Sequence, residues 1–308
     1  MLATPMDVLN QFPVRKTKRQ KQEFRDAVQS YVTGLGYTCT VEAGSCGSRN
    51  LVIGDPEKAK YLVTAHYDTP ARMLLPNFIT PKNLLLYLLY QFLVVGLMIV
   101  VSVAVGVAIG VLFSSPEAGS MLAVCLYWLL LIMMMVGPAN KHNANDNTSG
   151  VVTVLEIART LLPAHRDRVC FVLFDLEEAG LIGSQSYRKA HKKTTEQQIV
   201  LNLDCVGDGD EILFFPNRKV KKNSEAMNWL RRCSGYFGQK QITIQDKGFA
   251  FYPSDQSQFP LGVAIAAFHK EKGLGLYVSR IHTSKDTILE ETNVNILRAC
   301  ISTLITTQ

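Results

Sequence analysis

The feature that most constrains the fold is a long apolar stretch in the middle of the chain. No charged residue occurs between Lys82 and Glu117, and the run LLLYLLYQFLVVGLMIVVSVAVGVAIGVLF exceeds the roughly 20 apolar residues that cross a bilayer as a helix. A second uncharged stretch covers residues 118–140, with MLAVCLYWLLLIMMMV at its centre. These stretches predict a transmembrane helical hairpin at residues 83–140, with SSPEAGS as its tight outer connection. The alternative, a buried core or a dimerisation insert of a soluble protein, is disfavoured by the length.

The charges around the hairpin predict its orientation. Arg72 and Lys82 precede it, Lys141 follows it, and the connection holds only Glu117. The positive-inside rule therefore places both termini and the rest of the chain in the cytoplasm. The seven cysteines without CxxC pairs are typical of a reducing compartment, and the first residues lack the apolar core of a signal peptide. We expect a multi-pass protein of the cell membrane, with these interfacial or packing aromatics: Tyr87, Tyr90, Tyr127 and Trp128.

The net charge of +6 is modest, and the basic residues gather at 15–21 and 218–222. Both clusters are predicted to be solvated surface, which an anionic leaflet attracts by about 1 kcal/mol per basic residue. No aromatic platform or base-reading motif accompanies them, so nucleic acid is not predicted as a partner. No oligomeric state is predicted.

Outside the hairpin, strand-like and helix-like segments alternate. Several apolar runs lack polar alternation, which is typical of strands covered on both faces. We predict an α/β fold of three layers, with a mixed, largely parallel sheet flanked by helices. Residues 1–82 and 141–308 are predicted to form one discontinuous domain around the hairpin. Strands are expected at 38–42, 50–53, 60–65, 168–174, 198–203, 211–215, 241–245 and 263–268, and helices at 18–35, 151–162, 183–191, 224–237 and 292–303.

Three of the apolar runs end on side chains that bind metals. YLVTAHYD ends on His66 and Asp68, CFVLFDLEE on Glu177 and Glu178, and IVLNLD on Asp204. A polar residue after a strand is often a simple turn former. Three such endings are typical of a site, because ligands in open α/β sheets collect at the carboxyl edge of the strands.

Two further segments add Asp146, in ANDNTSG, and His282, in RIHTSKDT. Taken alone, Asp146 resembles a helix N-cap and His282 an ordinary surface residue. Together with the strand-end residues they complete two imidazoles and three carboxylates, the mixed set that Zn²⁺ accepts. A carboxylate placed like that of Asp146 can reach two metal ions.

Two more carboxylates suit supporting roles. Asp68, two residues beyond His66, can accept the second ring N–H of that ligand and fix its tautomer. Glu177 adjoins Glu178, so that one can bind metal while the other removes a proton from water.

Five motifs, taken in order, resemble the aminopeptidase Y and aminopeptidase S family of di-zinc exopeptidases, a group that also includes glutamate carboxypeptidase II and glutaminyl cyclases. The motifs cover nearly all of the chain outside the hairpin, and they are AHYD (65–68), NDNTSG (145–150), DLEEAGLIGSQSY (175–187), NLDCVG (202–207) and IHTSKDT (281–287). The resemblance implies two zinc ions per chain, a catalytic base at Glu177 and a cis peptide bond after Asp146. The implied ligands are the bridging Asp146, Glu178 and His282 on one ion, and His66 and Asp204 on the other.

The segment SDQSQF (254–259) departs from the family pattern. It holds Gln256 where relatives often have a histidine, next to Asp255 as a candidate for the outer part of the site. The resemblance implies an aminopeptidase acting on peptides with a free N-terminus, with the lipid bilayer as its second partner. Two alternatives are a glutaminyl-cyclase-like transferase with one zinc and a silent membrane receptor, which is expected to have lost ligands.

Overall fold

The structure, a computed structural model, describes residues 2–307. Within that range the strands are β1 Cys39–Ala43, β2 Arg49–Ile53, β3 Tyr61–His66, β4 Val169–Phe174, β5 Ile199–Leu203, β6 Glu211–Pro216, β7 Gly235–Phe237, β8 Lys240–Ile244, β9 Gly262–Glu271 and β10 Gly275–Tyr277. The α-helices are α1 Asp7–Gln11, α2 Lys18–Gly34, α3 Leu84–Leu112, α4 Pro116–Val136, α5 Gly150–Thr160, α6 Ile182–Ala190, α7 Lys192–Thr195, α8 Arg218–Lys222, α9 Ser224–Arg231 and α10 Glu291–Thr306.

All of these strands belong to one mixed sheet. Its order is β1-β2-β4-β3-β5-β9-β6-β8-β7, with β10 paired to β9. The centre is parallel, since β3 pairs with β4 and β5, and β5 pairs with β9. Antiparallel pairs lie toward both edges. Every residue of β3, β4 and β5 is buried, as their unbroken apolar runs predict.

Alternate side chains of the central strands pack into two different layers. Val63 and Phe171 lie in a core shared with α2, α5 and α10. Leu62 and Val172 point to the opposite face, where they pack with Tyr187 of α6. The predicted fold class, a three-layer α/β sheet flanked by helices, is therefore confirmed.

Helices α3 and α4 form a hairpin that stands apart from these layers. They are 29 and 21 residues long, and both are long and apolar enough to cross a membrane. In the most apolar 18-residue stretch of each helix, only 11% (α3) and 6% (α4) is buried. Helix α5, in contrast, is buried from Gly150 to Ala158. The two helices touch where Gly119 meets Gly106, and a Cβ on Gly119 would lie 2.4 Å from the Gly106 carbonyl oxygen.

Three details of the sequence prediction are wrong. The outer connection is only residues 113–115, because Ser115 caps α4 by accepting the Ala118 N–H and proline at 116 suits a first helical position. The helix expected at 224–237 ends at Arg231, and residues 235–237 pair with β8 instead. Two members of the basic cluster at 15–21 are buried, since Arg15 donates to the Tyr67 carbonyl and Lys21 pairs with a carboxylate of the core.

Candidate metal centre

Three strand ends bring metal-binding side chains to one edge of the sheet. Strand β3 lies between the parallel strands β4 and β5 and ends at His66. The chain continues from β4 into Glu177 and Glu178, and from β5 into Asp204. Because parallel strands end at the same edge, these residues share the carboxyl edge of the sheet, where ligands of open α/β folds collect.

Asp146 lies between the two histidines. Its Oδ1 is 3.3 Å from His66 Nε2, and its Oδ2 is 3.1 Å from His282 Nε2. Asp204 Oδ1 is 3.7 Å from the same nitrogen of His66, and Glu178 Oε2 is 3.7 Å from the same nitrogen of His282. Two groups of donor atoms, each within 4.8 Å of one another, therefore share Asp146. The structure thus brings together every ligand that the sequence predicts.

Asp68 contacts both His66 and the segment that carries Glu177 and Glu178. Its Oδ1 is 3.5 Å from His66 Nδ1, the ring nitrogen that does not face Asp146. Its two oxygens also accept the backbone N–H groups of Glu177, at 3.0 Å, and Glu178, at 3.3 Å. The sequence suggested the first contact, but the bonds to the glutamate backbone were missed. Asp68 therefore positions residues on two strands at once.

The segment that carries Asp146, Ala144–Ser149, is kinked, since the backbone of Asp146 (φ -109°, ψ 96°) and of Asn147 (φ -127°, ψ 44°) is not helical. Asp146 is therefore not a helix cap, because α5 begins four residues later at Gly150. The peptide bond from Asp146 to Asn147 is cis, as the family resemblance implies. Asn147 donates a hydrogen bond from its side chain to the Leu203 carbonyl at 2.9 Å, which ties the loop to the end of β5.

Asp286 is a site residue that the sequence analysis missed. It is 1% exposed, and its carboxylate accepts the backbone N–H groups of Asn145, at 2.7 Å, and Asp146, at 3.0 Å. The available signal was its place in IHTSKDT, four residues after His282. One short segment therefore supplies a candidate ligand and also holds the backbone of another.

Strained backbone is found at the same edge. His282 has φ 64°, Leu176 before Glu177 has φ 57°, and Cys205 after Asp204 has φ 56°. Residues other than glycine rarely adopt this left-handed conformation. It persists where the surroundings over-determine it, and such residues gather at functional sites.

The cluster holds more negative charge than its histidines balance. Burial raises the pKa of Glu177 and of Glu178 well above the ordinary value. Burial disfavours protonation of His66, but the surrounding carboxylates raise its pKa well above the usual value. Burial also acts to raise the pKa of Asp146, yet its contacts with both histidines, His282 first, hold it below its ordinary range. The two histidines therefore supply too little positive charge to balance all of these carboxylates.

Elsewhere near this edge the chain supplies its own cations. Asp175 pairs with Lys21 at 2.5 Å. Asp208 pairs with Arg280 and with His269, each at 2.9 Å. These two buried carboxylates are thus neutralised by cationic side chains of the protein itself.

The cluster differs, because Asp146, Asp204 and Glu178 face only histidine nitrogens within ion-pair distance among residues 2–307. Glu178 Oε1 also has no hydrogen-bond partner in that part of the chain. Unpaired buried polar groups are costly, and native structures rarely keep them without a reason. Imidazole and carboxylate donors in two adjoining groups fit Zn²⁺, so the residues present suit that ion.

Asp255 and Gln256 play different parts. Asp255 is fully buried, neither of its carboxylate oxygens has a hydrogen-bond partner within the described chain, and burial raises its pKa to about 7. Gln256 donates to the Tyr252 carbonyl at 2.7 Å and accepts from Asn202 at 3.2 Å. The glutamine that departs from the family pattern therefore belongs to the polar packing at the end of β5.

A mixed sheet with two adjoining groups of metal-binding side chains at its carboxyl edge is typical of metal-dependent enzymes of the α/β class. The family model described as peptidase family M28 matches residues 133–307, and the chain belongs to that family. Over 107 residues it is 40% identical to aminopeptidase YwaD of Bacillus subtilis, a stretch that covers 34% of this chain and 22% of that relative. The family predicted from the motifs is thereby confirmed.

Solved structures share the fold. Glutaminyl cyclase of Porphyromonas gingivalis matches with a TM-score of 0.63 at 16% identity, over 99% of this chain and 96% of that one. A Zn-dependent exopeptidase of Parabacteroides distasonis matches with a TM-score of 0.59 at 16% identity, over 99% and 97%. At this identity the likeness shows the fold alone.

Proposed function

We propose that this chain is a membrane-anchored zinc exopeptidase that removes N-terminal residues from peptides with a free amino group. The observation that carries the proposal is the sharing of Asp146 by two ligand groups, beside the carboxyl group of Glu177. Membership of a peptidase family supports peptides as substrates, and the YwaD relative is an aminopeptidase.

Two zinc ions suit the two groups. His66 and Asp204 would hold one ion and Glu178 and His282 the other, with Asp146 shared between them. When bound, zinc supplies a Lewis acid that acidifies a water molecule and polarises the scissile carbonyl.

Glu177 is the proposed base. Its carboxyl group lies within 4.8 Å of donor atoms of His66 and Glu178, and Asp68 fixes its backbone. Burial raises the pKa of Glu177 from its ordinary value toward neutral pH, and a pKa near the working pH suits a general base. Glu177 accepts a proton from water and returns it to the leaving amine.

Helices α3 and α4 support the anchoring half of the proposal. We propose that they span the bilayer, with residues 1–82 and 141–308 forming one discontinuous catalytic domain on the cytoplasmic side. Strand β3 precedes the hairpin, while its neighbours β4 and β5 follow it, which supports a single domain. The basic residues Arg72, Lys82 and Lys141 beside the hairpin support the orientation.

The test is an assay of the full chain in detergent micelles after its zinc content has been measured. A peptide with a free N-terminus should be shortened from that end, and its N-acetylated twin should stay intact. A peptide that begins with glutamine tests the cyclase alternative, since ammonia loss without shortening would identify that activity. A zinc-loaded chain that leaves all three peptides unchanged contradicts the proposal and favours the receptor alternative.

A further inference from the structure

The loop of residues 72–78 runs beside the first two turns of α3. The hydroxyl of Tyr90 donates to the Pro76 carbonyl at 2.8 Å, and the ring of Phe78 lies 5.2 Å from the ring of Tyr90. Helix α3 begins at Leu84, so Tyr90 lies about 9 Å along its axis at about 1.5 Å per residue. The loop therefore contacts side chains that come from the first two turns of the helix.

A second loop, residues 247–251, reaches the same place from another part of the sheet. The ring of Phe251 lies 4.9 Å from that of Tyr87, and its backbone N–H donates to the Pro81 carbonyl at 3.0 Å. Both loops are thus fixed to the base of the hairpin by side-chain and backbone contacts, in addition to the covalent connection of the chain.

The lengths of the two helices suggest the depth of these loops. At about 1.5 Å per residue, the 29 residues of α3 rise about 44 Å and the 21 residues of α4 about 32 Å. A bilayer has a hydrocarbon core of about 30 Å, flanked by headgroup layers. Helix α4 matches the core, and the excess of α3 is about the two turns that the loops contact. Those turns and loops therefore fall at the level of the headgroups.

The side chains that these loops expose suit that level. Leu74 is 100% exposed, Phe249 is 59% exposed and Leu75 is 40% exposed. Arg72 and Lys247, on the same loops, are also exposed. Aromatic and apolar side chains beside basic ones are typical of segments anchored at a membrane surface. We call Arg72, Leu74, Leu75, Lys247 and Phe249 the collar.

The loop of residues 72–78, which carries three of the collar residues, is hydrogen-bonded directly to the candidate metal centre. The backbone N–H of Met73 donates to the His282 carbonyl at 2.7 Å, and that of Asn77 donates to the Ile281 carbonyl at 3.3 Å. A loop at headgroup depth thus shares backbone hydrogen bonds with a candidate ligand. The edge of the site on the His282 side lies next to the membrane surface.

We propose that the collar rests in the headgroup layer of an anionic phospholipid leaflet, and that the site takes peptides that are held at that surface with their amino end free. Phospholipid is the occupant because the collar continues the apolar surface of the hairpin and its charged members are basic. The lipid half rests on the membrane anchoring in the proposed function, and the substrate half rests on its peptidase activity. Soluble peptides would reach the same site without help from the surface.

The depth of the collar can be measured on the full chain in vesicles of phosphatidylcholine and phosphatidylserine. An environment-sensitive fluorophore is attached to Leu74→Cys and, as a matched control, to Leu162→Cys, with Cys46 and Cys125 changed to alanine. Leu162 is also an exposed leucine, at 64%, but precedes β4 at the opposite edge of the sheet. The label at 74 should emit at shorter wavelength and be quenched several-fold more slowly by an aqueous quencher. Equal quenching at both positions overturns the proposal.

The substrate half is tested with one peptide in two forms, free and carrying a C-terminal acyl anchor. On vesicles the anchored form should have a kcat/KM at least about tenfold higher, because the surface raises its effective concentration. The double variant Leu74→Ser with Phe249→Ser should lose much of this preference while keeping kcat/KM for the free form. Since the hairpin still holds the variant on the vesicle, an unchanged preference overturns the role of the collar. Hydrolysis of neither form refutes the proposed function itself, whereas equal hydrolysis refutes only this inference.

Discussion

The carboxyl edge of the sheet and the α3–α4 hairpin depart from ordinary burial in opposite directions. At the sheet edge, buried atoms such as Glu178 Oε1 lack hydrogen-bond partners within residues 2–307. On the hairpin, large apolar side chains are not covered by other residues, with Phe92 71% exposed and Trp128 59% exposed. Folded chains normally pair buried polar groups and cover extended apolar surface. The proposed function assigns a component from outside the chain to each departure, a cation in one region and lipid in the other.

The largest effect is expected where a single atom of the site is changed. Glu177→Gln should lower kcat by about 10²–10⁴-fold, because an amide cannot accept the proton from water. Its zinc content should stay at the level of the unchanged chain. The matched control is Glu178→Gln, the same change one residue later, which should lower zinc content as well. Turnover and metal analysis on both variants decide the roles, and an active Glu177→Gln chain would refute the assignment.

Removal of zinc tests whether the sheet edge depends on a cation. At a zinc concentration of about 100 times Kd, binding contributes about 2.7 kcal/mol, or about 4–5 °C in Tm for a chain of this length. A chelator should therefore lower the Tm of the full chain by that amount. No change in Tm, with zinc shown to be present before chelation, would contradict the cation half of the comparison.

The raised carboxyl pKa values predict the sign of the pH dependence in the same experiment. Burial raises the pKa of Asp255 to about 7 and that of Asp286 to about 8, and burial raises the pKa of Glu177 and Glu178 as well. Carboxyls with a raised folded-state pKa stabilise the fold below their unfolded-state pKa, and this stability is lost as pH rises through the folded-state pKa. The Tm of the zinc-free chain should therefore fall from about pH 5 to about pH 8, and zinc should reduce that slope. A zinc-free Tm that rises over this interval has the wrong sign.

A smaller effect is expected from the residue that holds the Asp146 loop. Asp286→Asn replaces one accepting oxygen with an N–H₂ group that faces a backbone N–H, so the loop should lose its position. We expect weaker zinc binding by about 10–100-fold, the range found for residues that orient metal ligands. Competition with a chromogenic chelator measures it without any turnover. Asp167→Asn, at an exposed aspartate before β4, is the control and should bind zinc like the unchanged chain.

The sequence predicted the strands best where burial is complete. The bounds expected for β3, β4 and β5 differ from the observed ones by one residue at each shifted end, because an unbroken apolar run stops where the strand leaves the core. The three-residue strands β7 and β10 were missed. At that length, pairing depends on the neighbouring strand, which no local pattern describes.

The same distinction applies to the site. His66 and Asp204 were predictable because each stands at the end of a buried run. Asp286 was missed because its role is to hold backbone N–H groups about half the chain away, at Asn145 and Asp146. The burial of Arg15 has the same cause, since its partner carbonyl belongs to Tyr67. Local pattern thus identifies the candidate ligands that stand at strand ends, whereas the residues that support them depend on the assembled fold.

The smallest effect concerns shape alone, in the region that lacks polar chemistry. A Cβ on Gly119 would meet the Gly106 carbonyl oxygen at 2.4 Å, whereas a Cβ on Gly96 would meet nothing within 4 Å. Both Gly→Ala changes gain up to about 1 kcal/mol of helix propensity. Only Gly119→Ala also has an overpacking cost, of about 1–3 kcal/mol, because small residues let the helices approach closely.

Gly119→Ala should therefore destabilise the hairpin by a net amount of at most about 2 kcal/mol. Gly96→Ala should leave the stability of the hairpin unchanged or raise it. Denaturant titration in mixed micelles, followed by the emission of Trp128 in α4, measures the difference, with a Trp128→Phe chain as the blank for Trp229. Both variants should keep the zinc affinity of the unchanged chain, because the contact of Gly106 with Gly119 lies far along the helices from the sheet. If the two variants have equal stability, the close approach of α3 and α4 does not hold the hairpin together.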